Sequence, residues 1–98
     1  MQFIVIAYDG EGVLEKRLAA RSRHLAGMLA LGKHIVCAGG LPDEEGKPKG
    51  SVLVMDFADR AELDEYLANE PYVQAQVWEN IEVMPMNVVI VDGEMVGK

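Results

Sequence analysis

Residues 51–69 read SVLVMDFADRAELDEYLAN, and this stretch decides the fold. Its first eight residues are mostly β-branched or apolar, with no helical stripe, which marks a strand. In an extended chain Leu53, Met55 and Phe57 point one way while Val52 and Val54 point the other, so both faces of the strand are apolar. Asp59 then stands where a helix N-cap belongs, its carboxylate able to accept from the free N–H groups of the first turn. The helix RAELDEYLAN follows and ends ahead of Pro71, because the residue before proline avoids the helical region.

The N-terminal half has the same grammar. QFIVIAY is a strand with Phe3, Val5 and Ala7 on one side and Ile4, Ile6 and Tyr8 on the other, closed by the turn pair Asp9-Gly10. From Val13 to Leu31 the apolar residues Leu14, Leu18, Leu25, Met28 and Leu29 recur at helical spacing. Arg21 interrupts that stripe and Ser22 can cap a fresh segment, so a helix broken near residue 21 is expected. HIVCAGGLP reads as a second strand and PDEEGKPKG as a loop. A long last strand, QVWENIEVMPMNVVIV, carries Pro85, which implies an edge position or a bulge, and ends at the turn Asp92-Gly93. The order β-α-β, hairpin, β-α-β predicts an α+β chain of ferredoxin-like βαββαβ topology: a four-stranded antiparallel sheet with both helices on one face. Two helices cover only one apolar face. The other exceeds what a soluble monomer exposes, so a homodimer through sheet faces is expected, with higher assembly left open.

The 98 residues fit one domain, residues 1–98, with a C-terminal extension from 87. With 9 Lys+Arg against 16 Asp+Glu, a net charge of −7, there is no basic field to gather phosphates, which argues against nucleic acid and an anionic membrane surface as partners. Cys37 is the single cysteine and suits a reducing compartment. No apolar run approaches the roughly 20 residues of a bilayer span, and the N-terminus lacks the basic region of a signal peptide, so a cytoplasmic location is expected. His34 and Cys37 make at most half of a metal site, so no metal is expected.

In the expected topology one edge of the sheet gathers Tyr8, Asp9, Gly39, Gly40 and the segment Glu70-Pro71-Tyr72. An unbroken helix from residue 12 would leave His24 about 18 Å from that edge, and a break near Arg21 would bring it within reach. A neutral histidine is the side chain suited to proton transfer near neutral pH, and a carboxylate on its other nitrogen fixes the tautomer. Asp9 and Glu70 are the carboxylates available. Arg17 or Arg21 would bind an anionic ligand oxygen, Gly40 would admit a ligand close to the backbone, and Tyr8 and Tyr72 would line the mouth. Each also has a plain structural reading: His24 as a helix-border residue, Asp9 as a turn residue, the arginines as surface charges.

Two blocks, LEKRLAARSRHLA and EPYVQAQVWENIEVMP, resemble the YciI-like family of the dimeric α+β barrel superfamily, and the resemblance spans roughly residues 2–86. It implies a fold similar to that of muconolactone isomerase, dimers through the sheets, and a histidine and an aspartate matching His24 and Asp9. Relatives usually carry Asp-Pro-Tyr where this chain has Glu70-Pro71-Tyr72, a carboxylate longer by one methylene. Some related proteins act in the breakdown of chlorinated aromatic rings by dehydrochlorination. The resemblance thus implies an enzyme free of cofactors, doing isomerisation or elimination on a small cyclic or aromatic metabolite with His24 and Asp9 as its catalytic pair. A non-catalytic ligand-binding module and a cofactor-free monooxygenase are the other readings.

Overall fold

Phe3, Val5 and Ala7 are buried while Ile4 and Ile6 between them are partly exposed, which is the alternation of a strand covered on one side. The computed structural model describes residues 1–97. Its elements are β1 (Gln2–Asp9), α1 (Leu14–Ala30), a single 3₁₀ turn (Gly32–His34), β2 (Ile35–Pro42), β3 (Pro48–Asp56), α2 (Arg60–Ala68), α3 (Pro71–Gln74), β4 (Trp78–Met86), β5 (Ile90–Val91) and β6 (Glu94–Met95). The first four strands form an antiparallel sheet in the order β2-β3-β1-β4, the ferredoxin-like arrangement expected. Asp59 caps α2 by accepting from the Glu62 N–H at 2.9 Å. Pro85 lies in β4, an edge strand, where its missing N–H costs no ladder bond inside the sheet. No helix is long and apolar enough to cross a membrane.

One side of the sheet packs on the helices: Phe3, Val5, Ala7, Leu53 and Met55 share a buried core with Ala20, Met28, Leu63 and Tyr72. On the other side Ile4, Ile6 and Val52 are partly exposed, while Tyr8, Met84 and Met86 are exposed.

Three local expectations are corrected. α1 runs unbroken through Arg21, and its stop is Gly32, whose φ of +56° few other residues adopt. The buried side of α1 is Arg17, Ala20, His24 and Met28, whereas Leu14, Leu18 and Leu29 are exposed, Leu29 at 80 %. Arg17 and His24 tolerate burial because each finds polar partners there, which a count of apolar residues does not foresee. Lastly, the expected long strand over residues 76–91 stops at Met86. Residues 90–95 fold as a separate hairpin whose turn, Asp92 (φ 55°) and Gly93 (φ 78°), has the left-handed pair that matches strand twist.

Candidate functional site

A cavity of about 520 Å³ opens between α1 and the β2–β3 hairpin. It exists because its sheet side is built from small residues: Ala38, Gly39 and Gly40 on β2, and Ser51 on β3, paired with Gly40 on one side and Ala7 on the other. Leu18 and Leu25 of α1 form an apolar wall, so two residues of the supposed core stripe line a cavity.

His24 is 4 % exposed and lines this space. Its Nδ1 lies 2.7 Å from Oε1 of Glu70. A carboxylate only accepts, so Nδ1 carries the donated hydrogen, and in the neutral imidazole the lone pair is then on Nε2. Nε2 makes no hydrogen bond to the described residues and is available to the cavity. Glu70, 1 % exposed, is the N-cap of α3; its Oε1 also accepts from the Tyr72 N–H at 2.8 Å, and its Oε2 accepts from the Tyr66 hydroxyl at 2.5 Å. Burial and the Glu70 carboxylate together push the Tyr66 phenol far above its ordinary pKa, which keeps it a donor.

Above the imidazole the Tyr72 ring stacks at 3.9 Å between centroids and 14° between planes. The Arg17 guanidinium lies over the same ring, its Cζ 4.7 Å from the centroid. Arg17 and His24 are seven residues apart and so project from one face of α1, holding Tyr72 between them. Trp78 closes the cluster edge-on to both rings.

Asp9 is not the carboxylate on His24. It follows Ala7 in the strand alternation, faces the helices, and accepts from Arg17 Nη1 at 3.3 Å, opening on a separate cavity of about 230 Å³. Burial raises its pKa, against the opposing pull of Arg17. The expected His24–Asp9 contact is therefore replaced by two pairs, His24–Glu70 and Arg17–Asp9. Arg17 is also committed to the protein, donating through Nη2 to Gly50 O at 2.9 Å and Ser51 Oγ at 3.0 Å. Arg21, exposed at the rim, makes no hydrogen bond or ion pair among the described residues and is the cation open to a ligand. Gly40 and Tyr72 line the cavity as expected, whereas Tyr8 lies on the opposite side of the sheet, one residue out of phase with Asp9. Ser51 escaped sequence reasoning, since a serine in a strand carries no spacing signal. His34 and Cys37 lie elsewhere: His34 Nδ1 is 2.7 Å from Asp56 O, its ring stacked on Phe57, and Cys37 is exposed on β2.

The YCII-related domain family matches residues 1–87, almost the whole chain. The chain belongs to that family. The two blocks that suggested it in the sequence hold His24 and Glu70-Pro71-Tyr72, and in this YCII-related fold they meet in one cluster. An uncharacterized protein of Haemophilus influenzae is 32 % identical over 93 residues, covering 87 % of this chain and 95 % of that one. Among solved structures, 5-chloro-2-hydroxyhydroquinone dehydrochlorinase of Burkholderia phenoliruptrix AC1100, in complex with 2,5-dihydroxybenzoquinone, superposes with a TM-score of 0.81 at 23 % identity, covering 88 % of this chain and 93 % of that one. A dimeric ferredoxin-like protein of unknown function from Jannaschia gives a TM-score of 0.51 at 18 % identity, over 89 % and 98 % of the two chains. At those identities the likeness is one of fold.

Proposed function

We propose that this YCII-related chain is an acid–base enzyme that moves a proton on a small cyclic or aromatic metabolite, with isomerisation or elimination of the dehydrochlorinase type as the outcome. The observation that carries it is His24: Nδ1 anchored on a buried carboxylate, Nε2 free toward a cavity sized for a small ring. A neutral imidazole so held takes a proton at Nε2, and the Glu70 carboxylate stabilises the resulting imidazolium. Glu70 is the orienting group of this reading and Asp9 supports it at one remove, through Arg17. Arg21 at the rim takes an anionic or phenolic oxygen, and the leucine wall and Gly40 accept the flat body of the ring. Nothing in this chemistry requires a metal or redox cofactor.

The working unit of this reading is a homodimer of single domains, joined through the open sheet faces, in the cytoplasm. Packing two faces that carry Ile4, Ile6, Val52, Met84 and Met86 would remove that surface from water.

The test is turnover of halogenated hydroxyarenes and small cyclic lactones by wild type, His24→Asn and Glu70→Gln. Loss of at least 100-fold in His24→Asn is expected, on the order of what a general base contributes. Unchanged turnover overturns the catalytic role, and saturable binding of 2,5-dihydroxybenzoquinone without turnover of any compound makes the protein a binding module instead.

A further inference from the structure

The cavity holds two hydroxyl groups that the acid–base reading leaves unused. Ser51 is 3 % exposed and Tyr72 2 % exposed, and both line the cavity. Ser51 Oγ accepts from Arg17 Nη2, and its own proton has no acceptor among the described residues. The Tyr72 hydroxyl makes no hydrogen bond to the described residues either; its backbone alone is engaged, the N–H donating to Glu70 and the carbonyl accepting from the Val77 N–H. Yet it is not sealed in, since the only side-chain polar atom both buried and unpartnered among those residues is Trp78 Nε1. Buried hydroxyls are kept without a protein acceptor where something else supplies one.

Both donors are held in place. The Tyr72 ring is clamped between Arg17 and His24, and Ser51 is tied to Arg17, which is tied in turn to Asp9 and the Gly50 carbonyl. A hydroxyl whose oxygen accepts from a cation is a better donor through its own hydrogen. Burial pushes the Tyr72 phenol above its ordinary pKa, opposed by Arg17 and Arg21, so it keeps its proton to donate.

We propose that Ser51 and Tyr72 are the hydrogen-bond donors for an oxyanion that develops on the substrate opposite His24, and that the substrate class is an enolisable carbonyl compound. The inference rests on the acid–base reading of His24. In the step it implies, His24 Nε2 takes the proton from a carbon next to the carbonyl; the C–H electron pair becomes a C=C bond and the carbonyl π pair moves onto oxygen, where the two hydroxyls hold it. When the oxygen pair re-forms C=O, the C=C pair either shifts through an adjoining C=C of the substrate and takes the proton back from the imidazolium at the far carbon, or forms a new C=C bond as a leaving group departs from the adjacent carbon with its electron pair, the imidazolium then giving its proton to that group or to water. Neither outcome changes oxidation state overall.

The test is a titration of the full-length protein with 2,5-dihydroxybenzoquinone, whose ring oxygens probe both donors, in wild type, Ser51→Ala and Tyr72→Phe. Tyr72→Phe keeps the ring stack and removes only a hydroxyl without a hydrogen-bond partner among the described residues, so its fold is secure even where Ser51→Ala unsettles Arg17. Each variant is expected to bind the quinone about tenfold more weakly, the effect of losing a hydrogen bond to a charged oxygen. Wild-type binding with unchanged affinity in both variants overturns this proposal alone. A wild type that leaves the quinone free at millimolar concentration overturns it together with the reading of the cavity as a site for oxygenated rings.

Discussion

His24 and Glu70, 46 residues apart in the chain, meet with Nδ1 2.7 Å from Oε1, and the same Glu70 oxygen caps the turn that presents Tyr72 to the imidazole. One carboxylate thus orients the candidate base and fixes the ring stacked on it. Three donors converge on Glu70: the imidazole N–H, the Tyr72 N–H and the Tyr66 hydroxyl.

Replacing Glu70 with Ala strands those donors in a buried place, and the stability lost is expected to be about 3 kcal/mol or more. Urea unfolding measures it. A loss below about 1 kcal/mol would show that water or a rearranged side chain takes over the carboxylate's role.

Gly50 is a second sensitive point, although it carries no side chain. A Cβ there would overlap the carbonyl oxygen of Ala7 on the neighbouring strand, and the Gly50 carbonyl is an acceptor of Arg17. Gly50→Ala is expected to lower stability by about 1–3 kcal/mol, the range of a backbone-shifting overpacking. A thermal unfolding midpoint equal to wild type would contradict this.

Asp9 sets a pH dependence whose sign follows from its burial. Its pKa lies above the ordinary value of 3.8, so the folded protein holds this proton more tightly than the unfolded chain does. Its contribution to stability is therefore full below pH 3.8 and fades as pH rises through the raised pKa. Arg17→Met removes the opposing charge and should move the Asp9 midpoint higher still in a carboxyl NMR titration. A midpoint at or below that of wild type refutes the assignment.

Gln2 ties the start of β1 to the end of β3 and to the segment after β4: its Nε2 donates to Asp56 Oδ2 at 3.2 Å, while its Oε1 accepts from the Val88 N–H at 2.9 Å. The Gln2 hydrogen bond is the largest cause of the lowered Asp56 pKa, ahead of the bond from the N-terminus. Gln2→Ala should raise that pKa toward its ordinary value and speed amide exchange at Val88. Both are read by NMR, and an unmoved Asp56 would exclude the Gln2 contact as its cause.

The open sheet face predicts self-association. Ile6→Glu places a charge at its centre, across from Val52 on β3 and Glu82 on β4. Sedimentation is expected to shift from dimer to monomer at micromolar concentration, with the circular dichroism spectrum retained. A wild type that sediments near 10.7 kDa would refute the dimer.

Much of the fold is legible along the chain. Strand alternation at residues 2–8 and 51–57, the Asp59 cap and the stop before Pro71 are local effects, each set by residues within a few positions of one another. The α1 face was misread because Arg17 and His24 look like solvent residues until their partners on β1, β3 and α3 are known.

Local sequence was enough for the order of the four long strands and two main helices, the two apolar faces and the shortlist of charged and aromatic residues, because periodicity and capping act over a turn or a strand; it missed α3 and the hairpin of residues 90–95. It takes the packed fold to show that Glu70 rather than Asp9 sits on His24, that Arg17 is spent on Asp9, Gly50 and Ser51, and that Ser51 belongs to the cavity. Those pairings join residues 8 to 46 positions apart, and what selects among equivalent carboxylates is which one the packed helices and sheet bring within hydrogen-bond reach, 2.7 Å at His24 and 3.3 Å at Arg17, of a buried donor that must be satisfied.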